Sequence, residues 1–281
     1  MENIKEVELS KLLPFPDHPF RVLEDESMRE MAESIREYGV LMPLVVRPVE
    51  EGRYEIISGH RRKYACEMIG METVPVIVRE LDRDASIIMM VDSNLQRENI
   101  LPSERAAAYK MKLEAIKRQG QRSDLTSVQV APKLSTEIIG EDEGVSKDTI
   151  KRYIRLTELS PELQQMVDEK KIAMTPAVEI SYLKPEEQKL LVETIESEQA
   201  TPSLSQAKRM KQMSREGTLT DDTMLSVMSE QKKPEKNEIV LPYDALAKFF
   251  PKNYTPHQME RMIYKLLENW QKKKQRQHGE R

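Results

Sequence analysis

The chain has 281 residues, 33% charged and 38% hydrophobic with only 5% aromatic, a balance that suits several small helix-rich domains better than one thick globule. Its single cysteine, Cys66, excludes a disulfide framework and any multi-cysteine zinc or iron–sulfur site. A net charge of −4 excludes a uniformly basic coat but leaves room for local basic faces.

Val7–Leu13 reads as a strand, followed by a proline-rich turn, Pro14-Phe15-Pro16-Asp17-His18-Pro19. Met28, Met31, Ala32, Ile35 and Tyr38 recur at helical spacing, with Gly39 where a C-cap belongs. Leu44-Val45-Val46 and Tyr54–Ile57 are strand-like and joined by a Glu-Glu-Gly turn. Gly59 opens a helix that runs to about Gly70, and Val74–Val78 is a further strand. From Ala85 the period becomes helical, and residues 102–210 read as wholly helical, with Pro102, Pro161, Pro176, Pro185 and Pro202 at first-turn positions. Periodicity is lost over 214–238, which reads as a linker. A small C-terminal unit follows at 239–281. Its last helix opens on a Thr255–Gln258 capping box with Pro256 at the first position, and carries a stripe of Met259, Met262, Ile263, Leu266, Leu267 and Trp270.

The expected fold class is therefore α+β. A small mixed α/β domain (1–100) precedes an all-α domain (101–213), a linker and a helical association unit. No apolar run approaches the ~18 residues of a spanning helix, and the first residues carry no apolar signal core, so a cytoplasmic location is expected.

Three segments bear on chemistry. Ser58-Gly59-His60-Arg61-Arg62-Lys63-Tyr64-Ala65 lies where a strand passes into a helix. A glycine there admits close backbone approach, first-turn N–H groups point outward, and two guanidiniums stand beside them, as a phosphate site requires. Cations at a helix N-terminus oppose the helix dipole unless an anion compensates, which favours an anion site over solvated arginines. In Asp92-Ser93-Asn94-Leu95-Gln96-Arg97-Glu98, Asn94 and Arg97 share a helical face and can reach one ligand; a polar helix end is the plainer reading. Between 146 and 155 four basic residues stand against one acidic. Ser146 caps a helix whose inner side is Ile150, Tyr153 and Ile154. Lys147, Thr149 and Lys151 are suited to base edges and Arg152 and Arg155 to phosphates, the pattern of a helix-turn-helix.

In this order the segments resemble the ParB family of partition proteins and its nucleoid-occlusion relatives, over roughly residues 5–210. Leu41-Met42-Pro43-Leu44-Val45-Val46-Arg47-Pro48 is similar to the family's Gln-Pro-Ile-Val-Val-Arg stretch, and Gly59-His60-Arg61-Arg62-Lys63-Tyr64-Ala65 to its Gly-Glu-Arg-Arg-x-x-Ala box. Ser93-Asn94-Leu95-Gln96-Arg97-Glu98 is similar to its Glu-Asn-Leu-Gln-Arg box, with Leu101-Pro102-Ser103-Glu104-Arg105-Ala106 following. The resemblance implies a sulfiredoxin-like N-terminal domain that binds CTP with Mg²⁺. It also implies a helix-turn-helix on a centromere-like DNA site, a homodimeric clamp gated by CTP and reopened by slow hydrolysis, and a ParA-type Walker ATPase partner at the nucleoid. Carried over, Arg21, Gly59, His60, Arg61, Arg62, Asn94 and Arg97 line the CTP site, Asn94 is the Mg²⁺ position, and Ser146, Lys147, Thr149, Lys151, Arg152 and Arg155 form the DNA-binding helix.

The chain departs from the family at His60 and Ser93, where the family has Glu, and at Phe15, where it has Asn. It also carries extra residues, about 134–144, between the two helices of the helix-turn-helix, and its C-terminal unit does not match the family's dimerisation domain. These departures suggest a plasmid or mobile-element branch. Two alternatives stand beside this reading. One is a helix-turn-helix regulator or nucleoid-occlusion protein without CTP gating. The other is an enzyme on the sulfiredoxin-like fold, for which Cys66 is the candidate thiol, although its sequence setting is that of a small packed hydrophobe.

Overall fold

A computed structural model describes residues 4–97, 99–123, 132–230, 243–251 and 254–278. Residues 1–230 form one compact unit and residues 231–281 another.

The first unit opens on a five-stranded sheet of order β1-β5-β3-β4-β2, built from β1 (Ile4–Glu8), β2 (Leu12–Leu13), β3 (Leu44–Pro48), β4 (Tyr54–Ser58) and β5 (Thr73–Val78). β1 runs antiparallel to β5 and β3 antiparallel to β4, while β3–β5 and β2–β4 are parallel. The single strand read over Val7–Leu13 is thus two strands at opposite edges. A 3-10 turn at Leu9–Lys11 separates them, just after the Leu9 N–H makes one more bond in the β1–β5 register, to Glu72 O at 2.9 Å. Ile56 and Ile57 are adjacent in β4, point to opposite faces and are both fully buried, so the sheet is covered on both sides. On one face α1 (Glu26–Tyr38) and α2 (His60–Met68) enclose Met28, Ile35, Leu44, Val46 and Val76. Cys66 is fully buried in this core, as a packed hydrophobe would be.

On the other face, Phe15, Phe20 and Ile57 join a core with α3 (Arg83–Leu95), α4 (Pro102–Ser123), α5 (Pro132–Asp142) and α6 (Lys147–Arg155). The residues expected as an insertion before the DNA-reading helix are α5 itself, the first helix of the helix-turn-helix. Residues 124–131, within the stretch expected to be helical, lie outside the described residues. Gly140 explains how closely α5 and α6 approach: a Cβ there would stand 2.6 Å from Val145 O. The turn then passes through left-handed Gly144 (φ +65°) to Ser146, whose hydroxyl accepts the Thr149 N–H and caps α6.

A third core, around Leu163, Ile180, Leu191 and Met210, unites α7 (Pro161–Asp168), α8 (Met174–Ile180), α9 (Pro185–Glu198), α10 (Leu204–Glu216) and α11 (Asp221–Ser229). α11 occupies part of the expected linker. Thr220 and Thr223 form its capping box, and Met224, Val227 and Met228 are buried. Pro202 precedes the Ser203 cap of α10 rather than standing inside the helix.

The second unit holds α12 (Tyr243–Ala247) and α13 (Pro256–His278). The expected box is present at the start of α13: Thr255 N–H donates to Gln258 Oε1 at 2.9 Å, and Gln258 N–H donates back to Thr255 Oγ1. Met259 is buried, whereas Leu266, Leu267 and Trp270 are more than half exposed. Among the described residues no helix is long and apolar enough to cross a membrane.

Candidate functional site

The junction of β4 and α2 is built around Gly59. Its left-handed backbone (φ 110°, ψ 20°) turns the strand directly into the helix. A Cβ there would stand 2.8 Å from Leu44 Cγ and 3.1 Å from Arg62 Nη2, so no other residue fits without displacement. No side chain caps α2, and its first turn carries no acid, so the helix presents its N-terminal N–H groups and positive dipole end uncompensated.

A cavity of about 350 Å³ lies at this helix start. All seven residues expected at the nucleotide site, Arg21, Gly59, His60, Arg61, Arg62, Asn94 and Arg97, line it. They come from the proline-rich loop, the start of α2 and the end of α3. Among the described residues that line it there are four arginines and no carboxylate.

Each group is held differently. Arg61 Nη2 donates to Ser27 Oγ at 2.9 Å and lies 3.6 Å from Asp25, at the cap of α1, while its Nε is buried without a hydrogen-bond partner. Arg62 Nη1 donates to the carbonyls of Met42 and Pro43, the latter at 2.8 Å, which pins the loop before β3 to the cavity. Arg21 is placed through its backbone N–H, which donates to Glu104 Oε1 at 2.8 Å. Asn94 Nδ2 donates to Met90 O at 2.8 Å, and its Oδ1 is by chemistry an acceptor. Ser93 turns its hydroxyl back onto Met90 O at 2.9 Å. The neighbouring Asp92 is taken by Lys112 at 2.7 Å.

His60 and His18 stack in the cavity wall with ring centroids 3.9 Å apart. His60 Nε2 accepts the Phe15 N–H at 3.3 Å, so its own proton sits on Nδ1. Burial, with His18 and Lys63 adding to it, pushes the His60 imidazole down to about 3. His18 Nδ1 donates to Phe20 O at 2.8 Å, which makes its Nε2 an acceptor; that atom is buried without a partner. Burial lowers the His18 pKa, against the pull of the Phe20 carbonyl. Both rings are neutral near pH 7, and the charge of the cavity comes from its arginines. Six lining residues, His18, Phe20, Val22, Met31, Met42 and Ser58, were not among those expected at the site. The signal for His18 was its place in the proline-rich box.

The second candidate surface is α6. Ile150 is buried in its core, and Tyr153 packs edge-on against Tyr109 at 5.7 Å. Lys147, Lys151 and Arg152 face solvent. Lys147 pairs with Glu137 at 2.8 Å and Lys151 with Asp148 at 3.6 Å, exposed contacts that an incoming phosphate can replace at little cost. Arg152 Nη2 donates to Thr175 Oγ1 at 2.7 Å. Arg155 does not face outward as the phosphate assignment requires. Its Nε and Nη2 donate to Ser181 Oγ and O at 3.0 and 2.5 Å, and its guanidinium stacks 4.1 Å from the Tyr182 ring centre. It anchors α6 to the end of α8 instead.

Residues 1–95 match the family model of the ParB N-terminal domain, and residues 98–216 match that of the ParB HTH domain. Stage 0 sporulation protein J of Bacillus subtilis is 35% identical over 173 residues, covering 62% of this chain and 55% of that protein. A nucleoid occlusion protein of Halalkalibacterium halodurans is 33% identical over 197 residues, covering 69% of this chain and 64% of that protein. The match thus spans little more than half to two thirds of these relatives' length. Among solved structures, a pNOB8-like ParB N-domain superimposes with a TM-score of 0.50 at 17% identity, covering 80% of this chain and 94% of that one, a likeness of fold.

Proposed function

The chain belongs to the ParB family, and on that premise we propose that it is a DNA-binding partition protein whose N-terminal cavity takes CTP and thereby gates a homodimeric clamp on DNA. The observation that carries the proposal is the convergence of Arg21, Gly59, Arg61, Arg62, Asn94 and Arg97 on one cavity whose described lining holds no carboxylate. A nucleoside triphosphate supplies what this cavity lacks, a concentrated negative charge. Gly59 admits phosphate oxygens to the N–H groups of α2, and Arg61 Nε offers an unsatisfied donor. The volume, about 350 Å³, lies within the range of small-molecule sites, about 300–1,000 Å³.

The lining residues fit a triphosphate better than they fit a resident metal. Among the described lining side chains the oxygens of Asn94 and Ser58 are neutral, so Mg²⁺ would be held mainly by the phosphates it accompanies. Hydrolysis, if it occurs, is expected to be slow for the same reason.

α6 is the proposed reader of a centromere-like duplex, with Ser146 setting the helix start, Lys147, Thr149 and Lys151 toward bases and Arg152 toward phosphate. A ParA-type Walker ATPase is the expected partner, at the nucleoid of the cytoplasm. One observation favours a second reading, a nucleoid-occlusion or regulatory protein that keeps the DNA helix without gating: Ser93 spends its hydroxyl on its own helix. Retention on circular against linear DNA separates the two. CTP-dependent retention on circular DNA, lost on linearisation, supports the clamp; retention independent of both CTP and topology supports plain DNA binding.

A further inference from the structure

Lys112 lies midway along α4 with a side chain only 1% exposed, and it meets two carboxylates that are half in solvent. Its Nζ is 2.7 Å from Asp92 Oδ1 and 3.1 Å from Asp142 Oδ2. The two acids sit on the elements that lead into the two candidate sites, Asp92 on the helix that ends at the cavity and Asp142 on the helix that precedes α6. Asp92 is in the last turn of α3, two residues before Asn94. On a helix that spacing places them on roughly opposite sides, so the same turn faces the cavity with Asn94 and α4 with Asp92. Asp142 is the last residue of α5, where the chain enters the turn through Gly144 to the Ser146 cap.

A desolvated ammonium tolerates the loss of a counter-charge poorly, because the remaining interactions must offset its whole dehydration. The two carboxylates together outweigh burial and hold the Lys112 proton more tightly than usual. A displacement of the α3 terminus that lengthens one contact therefore changes the demand on the other. The three groups form one contiguous element with a cation that cannot be served by water.

We propose that Lys112 is a positioning residue that ties the cavity-lining end of α3 to the turn of the helix-turn-helix, so that occupancy of the cavity and engagement of DNA bias one another. The identity of the two ligands rests on the function proposed above; the linkage between the two segments does not. Coupling of this kind is reciprocal: whatever DNA does to the cavity end of α3, a cavity ligand does to the DNA-reading turn.

Amide hydrogen exchange of residues 90–97 in the full chain tests this, in the parent and in Asp142→Asn, Lys112→Met and Asp148→Asn. Asp142 is half exposed, so its variant removes one contact without burying a new group, and it decides the question even if Lys112→Met fails to fold. Asp148 pairs with Lys151 on the α6 surface and serves as control. Without ligand, Asp142→Asn is expected to raise exchange of 90–97 several-fold, while Asp148→Asn leaves it unchanged. Duplex DNA at low salt is expected to alter exchange there in the parent and not in Asp142→Asn. Exchange of 90–97 in Asp142→Asn equal to the parent's, with and without DNA, overturns the proposal. A parent in which Asp142→Asn acts as expected while saturating CTP leaves 90–97 untouched upholds the linkage and removes the nucleotide reading.

Discussion

Gly59 concentrates the argument at the scale of single residues. Its positive φ and the 2.8 Å approach to Leu44 both forbid a Cβ. Gly59→Ala should lower the unfolding free energy by about 1–3 kcal/mol, read as a shift in urea midpoint at constant m-value. An unchanged midpoint would show that the turn is not strained by a side chain. The stacked histidines give a pH signature. His60 is held neutral in the fold, with a pKa of about 3 against an ordinary value near 6.5. The unfolded chain takes up this proton first as pH falls. The contribution is therefore complete above pH 6.5 and is lost progressively from there toward pH 3. The parent's stability should fall more steeply between pH 6.5 and 4 than that of His60→Gln; parallel curves would contradict the neutral, buried ring. The glycine and the arginines of this site were legible in sequence because a helix start, its dipole and its charges are local features. The partnership of His18 with His60 was not, because it joins residues from different elements through a packed ring contact.

At the scale of elements, α6 shows what periodicity can and cannot determine. Its cap, its buried Ile150 and its charged face were all readable. Arg155 was not, because a basic side chain at the end of a reading helix looks like a phosphate contact until Ser181 and Tyr182 are brought beside it by α8. Arg155→Ala should destabilise the fold by about 1–3 kcal/mol in chemical denaturation, from lost hydrogen bonds and stacking. Lys151→Ala should leave stability within about 0.5 kcal/mol and reduce the salt slope of DNA binding by about one. The opposite pattern would return Arg155 to the DNA interface. The place of α5 was misread for a similar reason: its residues were legible as helix, but their role as the first helix of the pair depends on the close approach of Gly140 to Val145 O, a tertiary contact. α11 shows the reverse: the stretch 214–238 reads as a linker for want of periodicity, whereas the Thr220–Thr223 capping box and burial of Met224, Val227 and Met228 make 221–229 a helix.

At the scale of the whole molecule, the first unit contains the three cores described above, whereas α13 of the second leaves Leu266, Leu267 and Trp270 largely exposed along an amphipathic helix. A stripe of that kind on a small unit is expected to bury itself against a second copy. Removing residues 239–281 should lower the sedimenting mass from dimer to monomer, and an unchanged mass would contradict that pairing. The central claim, however, is that the arginine-lined cavity is a nucleotide site in a different part of the fold from the DNA-reading helix. Isothermal titration calorimetry of the full chain with CTP and Mg²⁺, with ATP and GTP as competitors and Arg61→Ala alongside, tests it most directly. The account predicts saturable CTP binding that the other nucleotides do not displace. It also predicts a loss of more than tenfold in affinity in Arg61→Ala, the removal of a charged hydrogen bond of about 1.5–3 kcal/mol, with duplex DNA binding retained. Absence of CTP binding by the parent, or equal binding by Arg61→Ala, would contradict it.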